Sequence, residues 1–228
     1  MSSNSSLSDK LQMFLTGRIP GSDTATRFLQ LASTAKIAGV TLPAGRFATL
    51  EDDVSHAPIT MLIGLPFGAV PTSLKLADLQ PCVRAQMGSI GIVVDPGLLG
   101  DSASSARVVE EILSVTSQVS GWGGSVGLAT ELAHVDWEGR ERLCRIAEQH
   151  KMAFLASSAG AIPGEPLGVS DVRRLRKMLP IPTQLWAVGC VIDCPAAQEL
   201  LAHGADQVGI VPSMDEVETK KWLETLST

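Results

Sequence analysis

Short apolar runs alternate with helical patterns along almost the whole chain, and that alternation restricts the fold more than any single motif. Runs rich in Val, Ile, Leu and Ala stand at 37–43, 59–64, 89–95, 125–129, 153–157, 184–188 and 207–211. Each is too short for a buried helix and is bounded by Gly, Pro or polar residues, which reads as a strand covered on both faces. Helical spacing fills the intervals. One helix is capped by Ser22 or Asp23 and runs to about 35, one starts at Thr72, one spans 102–120, and others start at Asp136, Ser170, Asp193 and Met214. Residues 7–14 read as a short helix and Leu15-Thr16 as a brief first strand, which brings the strand count to eight. Eight strands joined by helical crossovers close a barrel. Nothing of the form G-x-G-x-x-G follows an early strand, as a doubly wound dinucleotide fold requires. The predicted fold class is α/β: a (β/α)8 TIM barrel, one domain over 11–228 behind a flexible N-terminal tail, 1–10.

Composition narrows the partners. Of the 228 residues 45% are hydrophobic but only 4% aromatic, so the core is aliphatic, as parallel strands require. The net charge is −6. The densest basic stretch, Arg173-Arg174-Leu175-Arg176-Lys177, reads as a solvated helix face, and no nucleic-acid partner is expected. No apolar run is long enough to span a bilayer, and Met1-Ser2-Ser3-Asn4-Ser5-Ser6 lacks the charged start and apolar segment of a signal peptide. A cytoplasmic protein with no membrane partner is expected. Cys82, Cys144, Cys190 and Cys194 form no C-x-x-C, so neither a metal site nor a disulfide framework is expected, and the thiols are read as reduced.

A barrel of this kind carries its site at the carboxyl ends of the strands. The residues falling there are Thr41, Asp95, Thr130, Glu131, Ser157, Ser158, Trp186 and Cys190, with His134 in the following loop. Asp95 and Glu131 have the chemistry of an acid–base pair if their environments differ. The plainer reading gives Asp95 the capping of the turn at Pro96-Gly97. Ser157 and Ser158 are hydroxyl nucleophiles only with a histidine and a carboxylate in line, and the spacing sets up no such triad. Cys190, beside Gly189, is either a reactive thiol or a small packing residue.

Several stretches together resemble one family. Leu62-Ile63-Gly64-Leu65-Pro66-Phe67-Gly68-Ala69, followed by Thr72 and Lys75, is similar to the I-G-F-P-x-G-x-x-x-x-x-x-K pattern of the deoxyribose-phosphate aldolases. Phe154-Leu155-Ala156-Ser157-Ser158-Ala159-Gly160 resembles that family's F-x-K-T-S-T-G. Pro20, the run Val40 to Pro43, the stretch Asp171-Val172-Arg173-Arg174-Leu175-Arg176 and the stretch Ala202-His203-Gly204-Ala205-Asp206-Gln207-Val208-Gly209 extend the likeness from about Thr16 to Gly209.

The resemblance implies a class I aldolase barrel that cleaves a phosphorylated deoxysugar through an imine on a lysine, with no metal or other cofactor. A second lysine assists the first, and an aspartate passes protons. It also implies a homodimer. Carried over by position, the imine-forming lysine falls on Ala156, the assisting lysine on Trp186 and the aspartate on Gly91. The phosphate-binding glycine pair becomes Gly189-Cys190, and the hydroxyl-rich loop becomes Ile210-Val211-Pro212-Ser213. Lys10, Lys36, Lys75, Lys151, Lys177, Lys220 and Lys221 all fall in helices or just before strands and should point away from the pocket. Lys75, although it matches a family lysine, is read as a surface or structural residue.

Three functional readings follow. The first is a barrel with a degenerate active site, unable to form the imine, that serves as a scaffold, binds a small molecule or protein, or has been repurposed. The second is a lyase, isomerase or cyclase of another small metabolite, using non-lysine residues at the mouth such as Asp95, Glu131 or His134. The third is an active aldolase with a relocated lysine.

Overall fold

A computed structural model describes residues 7–16, 21–49, 57–161, 167–189, 194–212 and 216–225. Eight parallel strands close into a barrel in sequence order: β1 Leu11–Phe14, β2 Gly39–Pro43, β3 Ile59–Ile63, β4 Ser89–Val93, β5 Ser125–Ala129, β6 Phe154–Ala156, β7 Gln184–Gly189 and β8 Gln207–Ile210. Ring closure is made by β1 against β8, with Gln12 opposite Gly209 and Met13 opposite Ile210. Seven α-helices are found among the described residues: α1 Gly21–Thr34, α2 Thr72–Arg84, α3 Ser102–Val119, α4 Trp137–Gln149, α5 Val169–Met178, α6 Cys194–Ala202 and α7 Glu216–Thr225. Between β2 and β3 the described residues hold a 3-10 segment, Ala44–Thr49.

The amino-terminal expectation needs correcting. Residues 7–14 are not one helix, and the first strand is not Leu15-Thr16. Leu7–Lys10 is a 3-10 turn whose Ser8 carbonyl accepts from the Ala38 amide at 3.1 Å, and β1 follows it at Leu11. Leu7, Leu11 and Phe14 mimic helical spacing, but pairing on both edges imposes the two-residue period of a strand. Leu7 packs on the core.

Strand alternation sorts the apolar side chains into two layers. Met13, Leu42, Met61, Ile90, Ile92, Leu128, Leu155, Leu185 and Val208 point outward and meet the helices through Phe28, Leu79, Ile112, Leu143, Leu175 and Leu200. Phe14, Leu62, Val93, Ala129, Phe154, Ala156, Trp186 and Val188 point inward and fill the lumen. Space for the Phe154 ring comes from Gly91 and Gly127, where a Cβ would overlap Leu62 and the Phe154 ring respectively. Below the aromatic residues the barrel floor is polar. Gln12 donates to Thr41 Oγ1 at 2.9 Å, and Thr60 donates to Ser89 at 3.0 Å.

Candidate functional site

Ala156 closes β6, fully buried, with Trp186 of β7 directly opposite in the ladder. The indole of Trp186 does not reach up to the mouth. It lies flat on Phe154, centroids 4.0 Å apart and planes 3° from parallel, and meets the edge of Phe14 at 6.4 Å. Its Nε1 donates to Gln184 Oε1, two residues earlier on the same strand, at 2.9 Å, which turns the ring toward the base of the barrel. Gly91, on β4, has Leu62 and Phe154 against the position a side chain would take. The three positions to which the resemblance assigns the aldol chemistry hold one methyl group, one stacked indole and one glycine whose neighbours fill the side-chain space.

All seven lysines lie among the described residues, and none is on a strand. Lys36, Lys151, Lys177, Lys220 and Lys221 are exposed and Lys10 is half-buried. Lys75 is a partial correction to the sequence reading, because it is not on the surface. It is fully buried, outside the barrel wall between α2 and α3. Its Nζ donates to Glu111 Oε2 at 2.7 Å and to the Val93 carbonyl at 2.9 Å, while Thr72 approaches Glu111 Oε1 at 3.4 Å. The family lysine pattern located the residue, but nothing in the sequence signalled Glu111, 36 positions away, as its partner.

Several residues expected at the rim are engaged in hydrogen bonds that hold the strands and turns. Thr41 sits mid-strand in β2, fully buried and held by Gln12, because β2 extends two residues further to Pro43. Thr130 is buried and donates to the Val94 carbonyl at 2.9 Å, extending the β4–β5 ladder. Ser157 Oγ accepts from the Val188 amide at 2.9 Å, which ties β6 to β7. Asp95 Oδ1 accepts from the Gly97 amide at 2.8 Å and caps the 3-10 turn Pro96–Leu99. His134 is exposed, at the end of the 3-10 turn Leu132–His134. Cys190 lies outside the described residues.

Glu131 and Ser158 are brought together. Glu131 Oε1 accepts from the Ser158 hydroxyl at 2.9 Å and from the Ala159 amide at 3.0 Å, and Ser158 Oγ accepts from the Gly160 amide at 2.9 Å. No hydrogen bond joins Asp95 to Glu131, and His134 touches Glu131 only through its backbone amide. A residue missed in the sequence also lies here. Thr16, just past β1, has a buried hydroxyl with no partner among the described residues, next to Gly160.

The remaining ionisable groups with displaced titrations are structural. Burial pushes the Cys82 thiol up to about 11 and the Cys144 thiol up to about 12. Hydrogen bonds from Ser104 and Ala103 hold the Asp101 carboxyl below the usual range, where it caps α3. Among the described residues no cluster of three His, Cys, Asp or Glu stands ready for a metal ion, and no helix is long and apolar enough to cross a membrane.

The closed parallel barrel, with its candidate positions along the inner faces and carboxyl ends of the strands, defines a single-chain (β/α)8 barrel. No family model matches the chain. It is 25% identical over 171 residues to a deoxyribose-phosphate aldolase of Thermococcus gammatolerans, covering 74% of each chain. It is also 25% identical over 166 residues to one of Natranaerobius thermophilus, covering 73% of this chain and 74% of the relative. Among solved structures, the deoxyribose phosphate aldolase of Aeropyrum pernix, described as tetrameric, superposes with a TM-score of 0.80 at 18% identity, over 96% of this chain and 92% of that one. An aldolase termed QR15 superposes with a TM-score of 0.78, also at 18% identity, over 96% and 94% of the two chains. The chain is thus similar in sequence to deoxyribose-phosphate aldolases over about three quarters of its length and shares the barrel fold of the solved ones.

Proposed function

We propose that this chain is an aldolase-like barrel whose imine-forming apparatus has been replaced by packing, and that it binds a small molecule or a protein instead of cleaving a phosphorylated deoxysugar. The observation that carries the reading is the placement of the seven lysines. Imine chemistry needs an amine with a free lone pair facing the substrate carbonyl. The one fully buried lysine is an ammonium committed to Glu111 and a backbone carbonyl behind the barrel wall. The phosphate end is weakened too. Val211 and Pro212 follow β8, where proline offers no amide hydrogen and valine no hydroxyl, so a phosphate dianion loses charge-assisted hydrogen bonds there.

A lyase, isomerase or cyclase acting on another metabolite is the second reading. It draws on Glu131, which keeps Oε2 without a hydrogen bond among the described residues, but it lacks a paired acid, because Asp95 is engaged with Gly97. Under the first reading the protein works without metal, in the cytoplasm, as a homo-oligomer. The tetrameric description of the Aeropyrum pernix relative supports the last point.

The test is reductive trapping. The protein is incubated with 2-deoxyribose 5-phosphate and sodium borohydride, intact mass is read, and acetaldehyde release is followed in parallel. No adduct and no acetaldehyde are expected; a stable adduct on any lysine overturns the proposal.

A further inference from the structure

We draw no further inference here: the strongest candidate, the surface turn leading into β7 that Arg176 braces through the Leu179, Pro180 and Thr183 carbonyls and that leaves Ile181 94% exposed, carries nothing because nothing in the structure shows what covers it.

Discussion

Two buried layers meet at the strands of this barrel, and they treat charge in opposite ways. Outside the wall, between α2 and α3, Lys75 and Glu111 form a buried ion pair completed by the Val93 carbonyl. Inside the wall, Phe14, Phe154 and Trp186 pack against Val93, Ala156 and Val188 with no ionisable side chain in the cluster. Val93 belongs to both layers: its carbonyl holds the lysine on one side while its side chain joins the lumen on the other. Burial of a lysine is therefore no sign of chemistry by itself. Its partner and the side of the wall it occupies decide whether the amine is available.

The largest expected effect comes from putting a lysine back into the lumen. Trp186→Lys removes the stack on Phe154 and places an ammonium among aromatic and aliphatic neighbours without a counter-charge. Loss of packing alone is worth about 3–5 kcal/mol for a buried tryptophan, and the unpaired charge adds to it. Gly91→Asp cannot supply the counter-charge, since its side chain would run into Leu62 and Phe154. Urea denaturation of the single and double variants measures this. A Trp186→Lys protein as stable as the wild type would mean that the lumen has room and water for a charge, and the contrast between the layers would be lost.

The outer pair should respond differently. Lys75→Met leaves Glu111 buried without its cation, at a cost of about 3–5 kcal/mol, whereas Lys75→Met/Glu111→Leu should regain most of that loss. Trp186→Lys has no such partner substitution within reach. If the double variant is no more stable than the single, the pair is not acting as an isolated buried unit, and the comparison must include the β3–α2 turn at Gly64, which packs along the lysine stem.

The alternation of apolar runs was enough to place seven of the eight strands within about two residues, because a strand buried on both faces must be short, apolar and bounded by breakers. The first strand was misplaced because Leu7, Leu11 and Phe14 fit a helical period, and only the pairing with β2 and β8 decides between the two. At the site, the residues standing where the resemblance places its chemistry, Gly91, Ala156 and Trp186, were readable position by position. What filled the space was not. Phe154 and Phe14 come from other strands, and Trp186 turns downward because Gln184 accepts from its indole. Glu131 was visible as a strand-end carboxylate. Its partners, Ser158 and Ala159, lie 27 and 28 residues on and meet it only through the pairing of β5 with β6.

A smaller effect tests the seam between the lumen and its rim. Ser157 Oγ receives the Val188 amide where β6 and β7 continue past Ala156 and Trp186. Ser157→Ala leaves a buried amide without that acceptor, and a loss of about 1–3 kcal/mol is expected. Hydrogen exchange should localise the change to Val188. An unaltered Val188 amide would show that the ladder closes there without the serine.

A last effect, gradual with pH, separates the layers by titration. Cys82 and Cys144 both lie in the outer layer, and burial raises their thiols from an ordinary value of 9.0 to about 11 and about 12. The folded protein thus retains protons that the unfolded chain gives up once the pH passes 9.0. The stability this confers is complete below that pH and is lost as pH rises toward 11 and 12, by at most about 1.4 kcal/mol per pH unit for each thiol. Stability measured from pH 8 to 11 should fall in the wild type and fall less steeply in Cys82→Ala/Cys144→Ala, even though the variant starts lower from lost packing. The lumen cluster has no group that titrates in this range, so Trp186→Phe should move the whole curve without changing its slope. If Trp186→Phe changed the slope as much as the cysteine pair does, the two layers would not be electrostatically distinct, and the placement of charge on one side of the wall would lose its physical basis.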